Sequence, residues 1–130
     1  MSTRSNIAHL RKDGTVRAIY CHWDGYLEHN GYILKKHYNE SNIEELLDLG
    51  DLSFLDASPL TCYAYGRDCG ESDVQAKVYN SLGEYIIKYC DQDFNYLLKD
   101  GVWFYWNWDE AGEMKEVPNL KDLDKGLFND

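Results

Sequence analysis

Three short polar clusters bring unlike functional groups together: Thr3-Arg4-Ser5-Asn6, Cys21-His22-Trp23-Asp24-Gly25-Tyr26 and Tyr65-Gly66-Arg67-Asp68-Cys69-Gly70-Glu71. Arg4 and Arg67 carry guanidinium forks, which match phosphate oxygens bidentately. Ser5, Asn6 and the backbone N–H groups of the 66–70 loop complete a cradle for an anion. Tyr20, Trp23, Tyr26 and Tyr65 offer rings on which a base can stack. The chemistry indicated is capture of a nucleotide-like anionic molecule. The expected ligand-binding set is Arg4, Ser5, Asn6, His22, Trp23, Asp24, Tyr26, Tyr65, Arg67 and Asp68.

The same groups permit an alternative, a small hydrolase or transferase. His22 would be the general base, Asp24 or Asp68 its orienting carboxylate, and Arg67 the stabiliser of developing negative charge, with Glu71 a second carboxylate. No Gly-x-Ser-x-Gly, P-loop or dinucleotide fingerprint fixes those roles. Cys21 and His22 are adjacent on a strand and point to opposite faces, so they form no dyad. Binding without turnover is therefore the leading expectation. The purely structural alternative uses Arg4–Asp68 or Arg67–Asp24 as ion pairs that staple strand ends.

These clusters need strand ends and loops to hold them. Asn6–Leu10 and Thr15–Trp23 flank Asp13-Gly14, a hairpin signal. Tyr32–Tyr38 reads as helix. Ser41-Asn42-Ile43-Glu44 matches a capping box, followed by the stripe Ile43, Leu46, Leu47 that Gly50 ends, with Glu44, Glu45 and Asp48 outward. Residues 51–59 read as loop, 61–65 as strand, 66–72 as polar loop and 74–79 as strand. A second capping box at Ser81–Glu84 opens a helix burying Leu82, Tyr85, Ile86 and Tyr89. Phe94–Leu98 and Val102–Trp108 flank Asp100-Gly101, and 113–117 reads as an edge strand. The expected fold is α+β: a single domain spanning 1–130, an antiparallel sheet of five or six strands with two or three helices packed on one face, and an acidic C-terminal segment, 109–130. Residues 120–127 carry too weak a pattern to assign.

The chain of 130 residues has a net charge of −10, and the imbalance is uneven. Residues 1–39 hold six bases and three acids, whereas 40–130 hold seven bases and twenty acids. So acidic a chain repels a phosphate backbone, which argues against direct nucleic-acid binding. Glu40–Asp56 contains six acids and no base, a pattern that suits an acidic protein-binding inhibitor or nucleic-acid mimic. The nineteen aromatic residues include Trp103-Phe104-Tyr105-Trp106-Asn107-Trp108, aromatic on both faces of a strand. One face belongs to a core, and the other is a candidate contact with a partner or a second copy of the chain. The four cysteines lack Cys-x-x-Cys spacing, and the histidines form no ligand motif, so no metal and no cofactor is expected. No stretch is long and apolar enough for a membrane span. Residues 1–5 show no signal-peptide pattern, which favours free thiols in a reducing compartment.

Thr3-Arg4-Ser5-Asn6-Ile7, Gly14-Thr15-Val16 and Tyr20-Cys21-His22-Trp23-Asp24-Gly25-Tyr26 together resemble a family of small, largely uncharacterised bacteriophage and prophage proteins. The likeness continues through Leu34, His37-Tyr38, Leu49-Gly50-Asp51-Leu52-Ser53, Tyr65-Gly66-Arg67-Asp68 with Gly70-Glu71, Ser81-Leu82 with Glu84-Tyr85, and Tyr96–Trp103. It covers roughly residues 2–105. The family often has arginine where this chain has Cys69, which makes the third loop less basic here. The resemblance implies a phage-type accessory protein in the cytoplasm of an infected bacterial host. By analogy it implies inhibition of a host defence factor, either through a nucleotide-like molecule or by docking on a host protein.

Overall fold

Hairpin turns and one long-range pairing organise the chain. The computed structural model describes residues 3–89, 92–108 and 113–119. In chain order they form β1 (Ser5–Leu10), β2 (Val16–Cys21), a π-helical turn at Leu27–Gly31, α1 (Tyr32–His37) and α2 (Ile43–Leu47). There follow β3 (Leu52–Phe54), β4 (Tyr63–Ala64), α3 (Tyr65–Cys69), β5 (Lys77–Tyr79), α4 (Leu82–Tyr89), β6 (Phe94–Lys99), β7 (Val102–Asn107) and β8 (Lys115–Glu116). The Tyr89 side chain, Cys90 and residues 109–112 and 120–130 lie outside the described residues, as do the expectations placed on them.

Both expected hairpins form. Gly14 (φ +90°) and the pair Asp100 (φ 51°) and Gly101 (φ +80°) supply the left-handed backbone that tight turns need. The strands build one α+β sheet of eight, in the order β4-β3-β2-β1-β6-β7-β8, with β5 also paired to β2. It is mixed rather than antiparallel, because β1 runs parallel to β6 and β2 parallel to β3. The unexpected strand is β3, whereas β4 falls within the expected strand 61–65. Residues 52–54 pair with β2 although they lie in the expected loop, and the short β4 pairs with them.

Alternation along the central strands gives the sheet two buried faces. Ile7, Ile19, Cys21, Tyr96, Leu98 and Trp103 pack with Leu34 of α1 and Ile43, Leu46 and Leu47 of α2. On the opposite face Ala8, Val16, Ala18, Leu97 and Trp106 pack with Tyr85 of α4. Helices therefore cover both faces, not one. That also accounts for the aromatic strand: Trp103 and Trp106 are both buried within the chain, on opposite sides. β8 pairs with the outer edge of β7. Trp108, just beyond β7, is exposed.

The two capping boxes part ways. At α4 the Ser81 hydroxyl accepts from Glu84 N–H at 3.1 Å, and the Glu84 carboxylate accepts from Asn80 N–H. At α2 the box does not form, and Glu44 does not point outward. Its carboxylate meets His9, Arg11 and Arg17 of the first hairpin at 2.6–3.0 Å. Three cationic or hydrogen-bonding partners outweigh one backbone N–H.

Candidate functional site

Tyr20, near the end of β2, is where functional groups from distant parts of the chain meet. β5 pairs with β2 as far as Ala18, and β3 begins to pair at Cys21. Between them the β2 edge is open. The Asp51 carboxylate fills the missing rung by accepting from Tyr20 N–H at 3.0 Å. Gly50 makes this placement possible. Its φ is +76°, and an added Cβ would come within 2.3 Å of the Val74 carbonyl oxygen. Asp51 is further held by its own N–H donating to Val74 O at 2.7 Å and its carbonyl accepting from Tyr65 N–H at 3.2 Å.

Beside this gap lies a cleft of about 260 Å³, whose polar walls include Asn6, Tyr20, Asp51, Lys77, Tyr79 and Gln92. Asn6 opposes Tyr20 across the β1–β2 ladder and donates to Asn95 Oδ1 at 3.0 Å. The Tyr20 hydroxyl shares a 2.7 Å hydrogen bond with His22 Nδ1. Burial pushes the Tyr20 phenol up from its ordinary range. The Arg4 charge works against that shift, and Tyr65 and Asp51 are close enough to add to it. Burial likewise raises the Asp51 carboxyl, only partly countered by the Tyr20 N–H and by Lys77.

Of the expected set Asn6 lines the Tyr20–Asp51 cleft, while His22 adjoins it through the Tyr20 hydroxyl, Tyr65 through its N–H to the Asp51 carbonyl, and Arg4 through its charge on the Tyr20 phenol. Arg4 is exposed, and among the described residues its guanidinium has no carboxylate within ion-pair distance; its backbone N–H donates to Asp93 at 3.1 Å. Arg67 is the correction. Its Nε and Nη2 both reach the Asp68 carboxylate at 3.0 Å, Nη1 donates to Pro59 O at 2.9 Å, and Nη2 donates to Cys62 O. Asp68 also accepts from Ala64 N–H at 2.7 Å. The Arg67 contact, then the Ala64 N–H, hold its carboxyl below the usual range. The expected polar loop is instead α3, stopped by Gly70 in the left-handed region, and Arg67 with Asp68 fastens it to the 59–62 turn. Staple pairing therefore occurs between sequence neighbours rather than as Arg4–Asp68 or Arg67–Asp24. The two arginines do not share one cradle.

Other members of the expected set lie elsewhere. Ser5 is fully buried and accepts from the Asn30 amide at 3.2 Å on the α1 side of the sheet. Trp23, Asp24 and Tyr26 form a corner loop outside the cleft, where the Asp24 carboxylate hydrogen-bonds the Tyr26 phenol. The catalytic set is not assembled, because His22 pairs with Tyr20, Asp24 with Tyr26, and Asp68 with Arg67. The acidic run is also largely engaged: Glu40 and Glu44 with His9, Glu44 and Asp48 with Arg17, and Asp51 with Tyr20.

A groove of about 680 Å³ between the two hairpin turns is larger. Its Arg11 and Glu40, however, are committed to Glu44 and to His9 and Gly101 N–H. Asp51, Lys77 and Gln92 were missed as site residues because no motif links them; they meet only through pairing at the β2 edge. No helix among the described residues is long and apolar enough to cross a membrane. Comparison with protein-family models, curated proteins and solved structures found no match.

Proposed function

We propose that the protein acts by binding: the Tyr20–Asp51 cleft holds a small anionic, nucleotide-like molecule, and in holding it the chain inhibits a host defence factor. This is the role of a phage-type accessory protein in the cytoplasm of an infected bacterium. The observation that carries the reading is the cleft itself, whose walls bring Tyr20, Tyr79 and Lys77 together; Arg4, a guanidinium without a carboxylate partner among the described residues, lies outside that lining with its charge bearing on the Tyr20 phenol. Tyr20 and Tyr79 offer ring surface in the same walls, and Lys77 a second cation. Phosphate at Arg4 with a base against the rings suits those groups.

The test is thermal unfolding across a panel of linear and cyclic nucleotides, with mass spectrometry of the recovered ligand. A true ligand at roughly a hundredfold above its Kd adds about 2.7 kcal/mol, a rise on the order of 10 °C for a domain of this size. Arg4→Ala abolishes that rise without moving the unliganded midpoint, and the ligand is recovered unaltered. A panel that shifts nothing, or a shift that survives Arg4→Ala, refutes the reading. Chemically altered ligand refutes the binding-only part.

A further inference from the structure

Where β2 leaves the sheet, the corner Trp23–Tyr26 carries two large rings outward. Trp23 is 45% and Tyr26 36% exposed, while Trp103 and Trp106 are buried. The rings have neighbours. The Tyr26 centroid lies 6.3 Å from that of His29, and His29 lies 5.3 Å from Phe54. Trp23 N–H donates to Ser53 O at 3.0 Å, which seats it beside the strand that bears Phe54.

The backbone beneath these rings is fastened at every residue. Asp24 adopts φ 56°, and its carbonyl accepts from Asn30 N–H at 3.2 Å. Gly25 donates to Thr3 O at 2.8 Å, accepts from the buried Tyr96 hydroxyl at 2.6 Å, and has no room for a Cβ, which would lie 2.9 Å from Thr3 O. The buried Asn30 amide reaches Trp23 O at 3.4 Å. Rings on so fixed a loop lose little conformational freedom when covered.

The segment that forms the corner is acidic, with the backbone of the exposed Arg4 packed against Gly25. Residues 18–34 contain Asp24 and Glu28 and no lysine or arginine, and both carboxylates bear on the Tyr26 phenol. We propose that this corner is a protein-docking surface whose occupant is a partner segment carrying arginine beside apolar side chains. Guanidinium lies over the Trp23 or Tyr26 ring and hydrogen-bonds Asp24 or Glu28, while the apolar neighbours cover Phe54. The surface adjoins the cleft, since Trp23 meets His22 edge-on at 4.8 Å and His22 bonds Tyr20, but the proposal uses none of the cleft's lining residues and does not rest on small-molecule capture.

The test uses the isotope-labelled full chain titrated with a short synthetic peptide alternating arginine and leucine, and with its glutamate-for-arginine counterpart. The arginine peptide is expected to shift the Trp23 indole, Tyr26 and His29 resonances in a saturable way. Trp23→Ala weakens it about tenfold, as truncating an aromatic anchor does. Trp23→Phe recovers part of that loss, and Asp24→Asn, which tolerates the left-handed backbone, weakens binding about threefold. Equal binding of the glutamate peptide, shifts mapping to another surface, or full affinity in a folded Trp23→Ala variant overturns the proposal.

Discussion

Glu44 and Asp51 are seven residues apart and both half-buried, yet their surroundings push them in opposite directions. Burial opposes the charge of Glu44, but hydrogen bonds from Arg11, His9 and Arg17 overcome it and hold the carboxyl at about 2, against an ordinary 4.5. Asp51 has one backbone N–H and the more distant Lys77, and burial wins, so its carboxyl is raised. With carboxylates at 2.6 and 2.7 Å from its two ring nitrogens, His9 completes the first network. One end of the first hairpin therefore has its charges mutually satisfied, whereas the other keeps a carboxylate where its charge is costly. That second carboxylate both closes the open rung of the β2 edge and stands in the wall of the cleft.

The sharpest way to break this comparison is Gly50→Ala. A Cβ on left-handed backbone, pressed against Val74, is expected to cost about 2 kcal/mol or more and to displace Asp51; denaturant melts and ligand-induced shifts measure the two effects. Glu44→Gln comes next. Three partly exposed ion pairs at about 0.2–1 kcal/mol each predict a loss on the order of 1–2 kcal/mol, read from the denaturant midpoint at neutral pH.

The pH profile sharpens the contrast further. Glu44 is depressed in the fold, so its contribution is complete above about 4.5 and disappears as pH falls towards about 2. Glu44→Gln should flatten stability across that window. Asp51 has the reverse sign: it is raised, so ionisation weakens the fold and protonation relieves it. Asp51→Asn keeps an oxygen for Tyr20 N–H, so stability at neutral pH should hold within about 0.5 kcal/mol or rise. Arg4→Ala is expected to be the smallest change, within about 0.5 kcal/mol as for an unengaged surface residue. A drop well beyond that would place Arg4 in the structural class with Arg67.

Local signals in the sequence located most of the architecture. Asp13-Gly14 and Asp100-Gly101 marked their hairpins, and Ser81–Glu84 marked the start of α4, because turn and cap chemistry acts over four residues. The same local reading failed at Ser41–Glu44, where the competing partners lie 27 to 35 residues away. It also missed β3, whose three residues become a strand only through pairing with β2 and β4, and it could not foresee that α4 crosses to the other face. Of the two arginines, the sequence shows identical chemistry. The Asp68 carboxylate and the Pro59 and Cys62 carbonyls that meet Arg67 separate a staple from a candidate ligand group.

The parallel pairing of β1 with β6 has a kinetic side. Partners such as Ser5 and Phe94 are 89 positions apart, so the centre of the sheet waits on closure of a long loop, a slow and entropically unfavourable step. A chain emerging from the ribosome can zip its first hairpin early, yet the β1 edge of that hairpin stays unpaired until residues 94–107 arrive to flank it. Synthesis of the last third of the molecule thus governs when the first third becomes native, and Arg4, whose carbonyl accepts from Phe94 N–H, is set in place only at that moment.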